Sequence, residues 1–293
     1  MHMAQTLLAI LLVVAAAHAL PDLARLRDFS WLKRWAARWN GSHGAASPLW
    51  LPLIAFASCA LAGGLLQHAL FGLPALAFGV LVLFYSWGPR DLDADIESVL
   101  KAPDSDRRHA AAQGLRPVPS MEALPLQSAP LVEATFASAL SRWFGVLFWF
   151  VVLGPAGALA YRVVQLLARH PGFAADLGGE SRERLERAAL VLDWAPSHLV
   201  ALTLALATEF DAVLKTWREY HAAHGQGYFT LDLGFLGALA RAGVDADVIA
   251  GDGYATDVDD PLVELADART VLRRILVVWV ALVALCVVAG WTT

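Results

Sequence analysis

The sequence predicts an all-α, multi-pass membrane protein, and three observations lead there. Several runs approach or reach about 20 consecutive apolar residues, the length a helix needs to cross a bilayer's hydrocarbon core. Hydrophobic residues make up 58% of the 293 and charged residues 17%, and mean hydropathy is +0.53. A soluble domain is closer to half apolar and a quarter charged. No stretch shows the period-two alternation of a half-buried strand. The net charge of −5 supplies no basic field for nucleic acid. Cys59 and Cys286 both fall inside apolar runs, where a lone thiol acts as a small hydrophobe.

The first apolar run, Leu7 to Leu20, ends at Pro21. Ala17-His18-Ala19 has the form of a signal-peptide cleavage site, but no Lys or Arg precedes the run, and a signal needs a basic n-region. The expectation is a first span over 3–20. Next come Arg25, Arg27, Lys33, Arg34 and Arg38, with Trp31, Trp35 and Trp39 four residues apart. Such spacing describes either a helix lying at headgroup level or a solvated basic connector. Its positive charge places it in the cytoplasm. Two further spans follow over 48–71 and 73–88, split by Gly72 and closed by Gly88-Pro89.

The polar stretch from Asp91 reads as helix to Ala112, with Ile96, Val99 and Leu100 as a thin apolar stripe. Gly114 to Pro130 reads as loop because of its four prolines, and helix resumes at Leu131. Arg142 to Arg162 is then apolar between two arginines, rich in aromatics, and interrupted by Gly154-Pro155. Proline removes a backbone donor and breaks a helix. A broken helix at membrane depth survives only where protein or a water-filled cavity surrounds it. Ala188 to Phe210 is also apolar but carries Asp193, Pro196, His198 and Glu209. Full crossings by both segments would put Arg169, Arg182, Arg184 and Arg187 outside, against the positive-inside tendency. Segments 143–163 and 188–210 are therefore expected to be broken or re-entrant. A final span over 271–291 follows Arg269, Arg273 and Arg274. This gives four spans, with the region 89–270 cytoplasmic or partly embedded.

Candidate ligand contacts cluster on the interrupted segments. Glu133, Arg142, Trp149, Tyr161 and Arg162 flank or line the aromatic run. A guanidinium there can clamp a carboxylate or phosphate bidentately; aromatic and basic residues also anchor span ends. Asp193 is a carboxylate in an apolar segment, costly unless paired or hydrated. It either flanks a helix start with Pro196 at the first position, or pairs with Arg162 across a shared cavity. Trp194 and His198 complete the set. His221 and His224, with Glu219 nearby, are too sparse to hold zinc. The aspartates of 252–260 lack the closing glutamate of a calcium loop. No phosphate loop, dinucleotide fingerprint or nucleophile elbow occurs, so no cofactor is identified.

Two stretches carry a family resemblance. Leu147-Phe148-Trp149, running into Gly154-Pro155-Ala156-Gly157-Ala158-Leu159 and Tyr161-Arg162, resembles the signature of the AmpE and CobD/CbiB membrane superfamily, AmpE more closely. Leu192-Asp193-Trp194-Ala195-Pro196 is similar to the superfamily's second segment. The CobD/CbiB branch implies an ATP-dependent amide synthase that joins an aminopropanol (phosphate) to a corrinoid carboxylate. Its acidic and asparagine positions fall here on Ala137, Ser138, Ser141, Gln165, Leu166 and Ala168, with only Glu133 retained. Magnesium held by carboxylates with the phosphates would lack those ligands. The AmpE branch implies a bacterial inner-membrane regulatory protein, linked to β-lactamase induction and cell-wall recycling, rather than an enzyme. Its partners would be membrane lipid and an anionic amphiphile in an aromatic cavity, such as a muropeptide or a lipid-linked phosphate. A transporter is a third reading, weakened because the sequence lacks the matched halves of that architecture.

Overall fold

The computed structural model describes residues 3–19, 23, 26–34, 50–67, 72–88, 90–118, 122–174, 179–225, 227, 230–252 and 260–290. Every regular element among them is helical, so the all-α fold class holds. Arg25, Trp35, Arg38, Trp39, Pro89 and the acidic residues 253–259 lie outside the described residues. The chain divides into two compact units. One comprises Met1–Asp91, Arg142–Leu192 and Val280–Thr293; the other comprises Leu92–Ser141 and Asp193–Trp279.

The first unit contains α1 (Met3–Ala19), α2 (Trp50–Gln67) and α3 (Leu73–Ser86). Gly72 sits at φ 79 with Pro74 just inside α3. That pairing suits a tight turn followed by a helix start, because glycine accepts the left-handed backbone and proline presets helical φ. Helices α2 and α3 pack on α7 (Gly145–Arg169), and α1 packs on α3. Leu51 and Ala55 of α2 meet Val163 and Leu167 of α7, with Phe29, Leu32 and Phe173 completing the cluster.

The decisive feature is the path of α7. At Gly154 the backbone takes φ 68, ψ −160 inside the assigned helix, a region open essentially to glycine alone. Beyond it the chain doubles back. Arg162 Nη2 donates to the Arg142 carbonyl at 3.4 Å, although twenty residues of straight helix would hold them about 30 Å apart. The Tyr161 hydroxyl likewise lies so close to Gly145 that a Cβ there would meet it at 2.1 Å. Gly157 faces Trp149 and Leu153 across the bend, and its Cβ would meet each at 2.5 Å. Helix α7 is thus a helical hairpin whose tip is Gly154-Pro155.

Length alone would read the helical stretch Ser128–Arg169 as one 42-residue crossing element. The hairpin rules that out for its second half. Trp50–Gln67, Gly179–Ala207 and Pro261–Val288 are also long and apolar enough to cross a membrane; Met3–Ala17 and Leu73–Ser86 are shorter apolar helices. The sequence placed the break at Gly154-Pro155 and ascribed it to the missing proline donor. Instead the glycine backbone sets the turn, and Pro155 occupies the first position of the returning leg, where its missing donor does no harm.

The second unit contains α4 (Leu92–Leu100), α5 (Ser105–Ala112), α6 (Ser128–Ala139), α10 (Phe210–Ala223) and α11 (Gly234–Asp252). The one-turn α8 (Pro171–Ala174) and the long α9 (Gly179–Ala207) and α12 (Pro261–Val288) complete the order. Asp104 caps α5, accepting from Arg107 N at 2.7 Å. A π-helical turn, Leu140–Phe144, separates α6 from α7. Helix α12 begins ten residues before the expected span, and Arg269 and Arg273 turn out not to be simple anchors. Both reach Asp93 of α4, at 2.7 and 3.0 Å.

Pro196 lies inside α9 rather than at a helix start, which corrects the capping role weighed for Asp193. The proline deprives the Leu192 carbonyl of its usual donor four residues on. Trp149 supplies the replacement: its indole Nε1 donates to Leu192 O at 3.1 Å.

Two outcomes follow. Gly154→Ala should destabilise the hairpin by about 1–3 kcal/mol or more, the scale of a residue forced into a glycine-only region. Pro155→Ala should cost much less; thermal unfolding in detergent measures both, and the reverse order would contradict a glycine-set turn. Trp149→Phe should cost about 1 kcal/mol, the net worth of a neutral hydrogen bond. In a Pro196→Ala background, where residue 196 regains an N–H for Leu192 O, that hydrogen-bond loss should nearly vanish. An equal cost in both backgrounds would show that the indole bond does not answer the proline.

Candidate functional site

The hairpin brings its two flanking arginines to a common base, beside the C-terminal end of α3. Arg162 Nε donates to Ser86 O at 2.7 Å. The Arg142 side chain lies against Gly88, whose Cβ would meet it at 3.3 Å; Gly88 has φ 124, so glycine serves both the turn and the close approach. A third arginine joins them. Arg27 Nη1 donates to Gly88 O at 3.3 Å, and its guanidinium carbon stands 4.5 Å from the centroid of the Phe84 ring.

All three are buried: Arg27 is 4% exposed, Arg142 6% and Arg162 3%. A buried cation is costly unless it is paired and hydrogen-bonded. The carbonyl-rich end of α3 helps here, because helix C-termini carry partial negative charge. Burial lowers the Arg27 pKa, against the raising effect of Asp91. Two polar atoms of this cluster, Arg27 Nε and Ser86 Oγ, are buried and make no hydrogen bond among the described residues. The spare polar atoms, Arg27 Nε and Ser86 Oγ, lie at the same end of α3 as the Arg162 guanidinium, and a guanidinium can receive an oxyanion.

The sequence had set Arg27 among headgroup or solvated bases; the structure buries it. Trp31, expected at the interface, instead donates to the Tyr85 hydroxyl at 2.7 Å. Spacing gave no sign of this, since both partners are more than fifty residues away. Trp149 is committed to Leu192. Tyr161 packs on Gly145 and is 1% exposed.

At the other end of the hairpin is a cavity of about 360 Å³. Phe150, Leu153, Gly154 and Pro155 line it from α7, with Cys59 and Gly63 from α2. It is less aromatic than the sequence suggested: Phe78 and Phe150 are the aromatic residues in its wall.

The remaining expected residues belong to the second unit. Glu133 pairs with Arg241 at 3.0 Å, each side chain nearly half exposed, and its stem packs over Gly237. Asp193 is fully buried in mid-helix. Trp194 and His198 do come together, with ring centroids 4.5 Å apart. They are part of a larger aromatic cluster that sequence reading missed. His198 also meets Phe235 at 4.9 Å, and Phe235 stacks on Trp217 at 5.8 Å. Trp217 Nε1 donates to His221 Nε2 at 2.9 Å. The i, i+4 spacing of Trp217 and His221 was the available signal. His224 stacks instead on Tyr220, 4.2 Å between centroids, so the two histidines serve different partners. Among the described residues no group of three His, Cys, Asp or Glu is arranged to hold a metal.

Burial holds the His221 pKa below its ordinary 6.5, and nearby His198 acts in the same direction. The native state therefore favours the neutral ring, while the unfolded chain takes up a proton near pH 6.5. Stability contributed by this group is full above pH 6.5 and declines as pH falls below it. Melting temperatures between pH 8 and pH 5 should drop less in His221→Gln, which keeps an acceptor for Trp217 but does not titrate. Identical pH profiles would exclude His221 as the source.

No known family model matches the chain, and no solved structure matches it. The curated cobalamin biosynthesis protein CobD of Chromobacterium violaceum is similar, 30% identical over 143 residues, which are 47% of this chain and 46% of that protein. The chain thus matches a little under half the length of that relative. This distant similarity supports the CobD/CbiB superfamily part of the resemblance carried by the two motif stretches.

Proposed function

We propose that this chain is a multi-pass inner-membrane regulatory or sensory protein of the AmpE type, which recognises an anionic amphiphile at the base of the α7 hairpin. One observation carries the reading: the buried Arg27, Arg142 and Arg162 each contact the Ser86–Gly88 end of α3, where Arg27 Nε and Ser86 Oγ have polar capacity left over. A muropeptide carboxylate or a lipid-linked phosphate fits that chemistry, since a guanidinium fork matches either anion. The hairpin geometry agrees with a segment that enters and leaves the bilayer on one side. It keeps Arg142 and Arg162 together at the hairpin's base, both buried, where charge is costly unless it is paired or hydrogen-bonded. Recognition would act by displacing the hairpin base from α3, because Arg162 now holds the Ser86 carbonyl.

A second reading is a cobalamin-type amide synthase, favoured by the similarity to the cobalamin biosynthesis protein CobD. The non-acidic residues at Ala137, Ser138, Ser141, Gln165, Leu166 and Ala168 weigh against it, because ATP-driven carboxylate activation requires carboxylate-held magnesium.

The test uses the full chain in nanodiscs and in a host with inducible β-lactamase. Arg27→Ala and Arg162→Ala should each weaken binding of a muropeptide or a polyprenyl phosphate about ten- to a hundredfold, matching about 1.5–3 kcal/mol for a charged hydrogen bond. Induction should fall with it, and Arg162→Lys should restore part of both. Undiminished binding and induction in both alanine variants would reject the site. ATP-dependent amide formation by the purified chain would favour the second reading.

A further inference from the structure

The outgoing leg of the α7 hairpin, 145–153, rises only about 14 Å, whereas the hydrocarbon core is about 30 Å thick. The cavity stands at its tip: Gly154 and Pro155 face Thr6 of α1, Cys59 and Gly64 of α2, and Phe78 of α3. Its volume of about 360 Å³ lies in the range of small-molecule sites. Space reaches the backbone, since a Cβ on Gly64 or Gly154 would meet nothing within 4 Å. The wall runs directly into exposed apolar surface. Val152 and Leu153, which line the cavity, are 54% and 48% exposed, and Leu61 and Leu65 beside it on α2 are more exposed still.

We propose that this cavity holds one hydrocarbon chain of a membrane lipid, entering sideways from the leaflet opposite the hairpin's base. Two considerations select that occupant. The wall is mostly apolar, with Thr6 and Gln67 as its polar side chains, and left empty it would forfeit the dispersion contacts of its lining atoms. Its rim is continuous with the lipid-facing surface of apolar helices, so hydrocarbon is what lies at the mouth. A phospholipid acyl chain and a polyprenyl chain share this chemistry. The site needs only the cavity and the bilayer, and it stands whether or not the regulatory reading does.

The full chain is reconstituted in phosphatidylethanolamine–phosphatidylglycerol nanodiscs with a trace of phospholipid carrying a photoreactive diazirine in its acyl chain. Cross-linked residues are mapped by peptide mass spectrometry. The expected result is labelling of the cavity residues Cys59, Phe150 and Pro155 well above that of the exposed control Leu285. In Gly64→Leu, cavity labelling should fall about tenfold, because the new side chain fills the space, while Leu285 labelling stays the same. Gly64→Ala adds a single methyl group and should give a smaller decrease, which serves if the leucine variant fails to insert. Adding a polyprenyl phosphate separates the sources: loss of acyl labelling identifies a polyprenyl chain, and retained labelling identifies phospholipid. Cavity labelling no stronger than at Leu285 in the unaltered protein, or labelling unchanged in an inserted Gly64→Leu, would overturn the proposal. Neither result bears on binding at the arginines, which is measured separately.

Discussion

The backbone conformation of one residue, Gly154, governs the first unit. At φ 68, ψ −160 it reverses a helix that would otherwise run straight. Every contact between the two legs depends on that reversal. Tyr161 reaches Gly145, Gly157 slips past Trp149, and Arg162 finds the Arg142 carbonyl. Glycine at 145 and 157 is required by closeness, since any Cβ would collide. In a bilayer, hydrophobicity does not drive helices together, and small residues at contacts let packing do so. The legs of α7 follow that rule.

From the hairpin come two sites of opposite character. Its base gathers charge against the end of α3, where carbonyls and a helix dipole moderate buried cations. Its tip opens onto a mostly apolar cavity among α1, α2 and α3. The pattern accords with a general constraint on membrane proteins: irregular backbone at depth is tolerated only where protein or a cavity surrounds it.

Compensation recurs where the sequence breaks helical rules. Pro196 removes a donor from α9, and Trp149 replaces it with an indole N–H. Pro155 sits where a helix start wants no donor. In the second unit, Trp217 donates to His221 Nε2 inside an aromatic cluster, and Asp93 answers Arg269 and Arg273. Glu133 and Trp149, candidate ligand contacts by sequence, also have partners within the protein, Arg241 and the Leu192 carbonyl.

The sequence by itself determined the helical membrane class and the interruption at Gly154-Pro155 between two flanking arginines. Those rest on local properties: apolar run length, a missing backbone donor, and the cost of charge in apolar surroundings. It also suggested that the interrupted segment does not simply cross, because the positions of later arginines oppose it. Only the tertiary structure decided that glycine rather than proline makes the turn, since both residues permit a break and only φ and ψ distinguish them. Only the structure set Arg27 on the Gly88 carbonyl, or turned Trp149 toward Leu192. Those contacts join residues 43 or more positions apart, and no periodicity records which distant carbonyl a buried donor will reach.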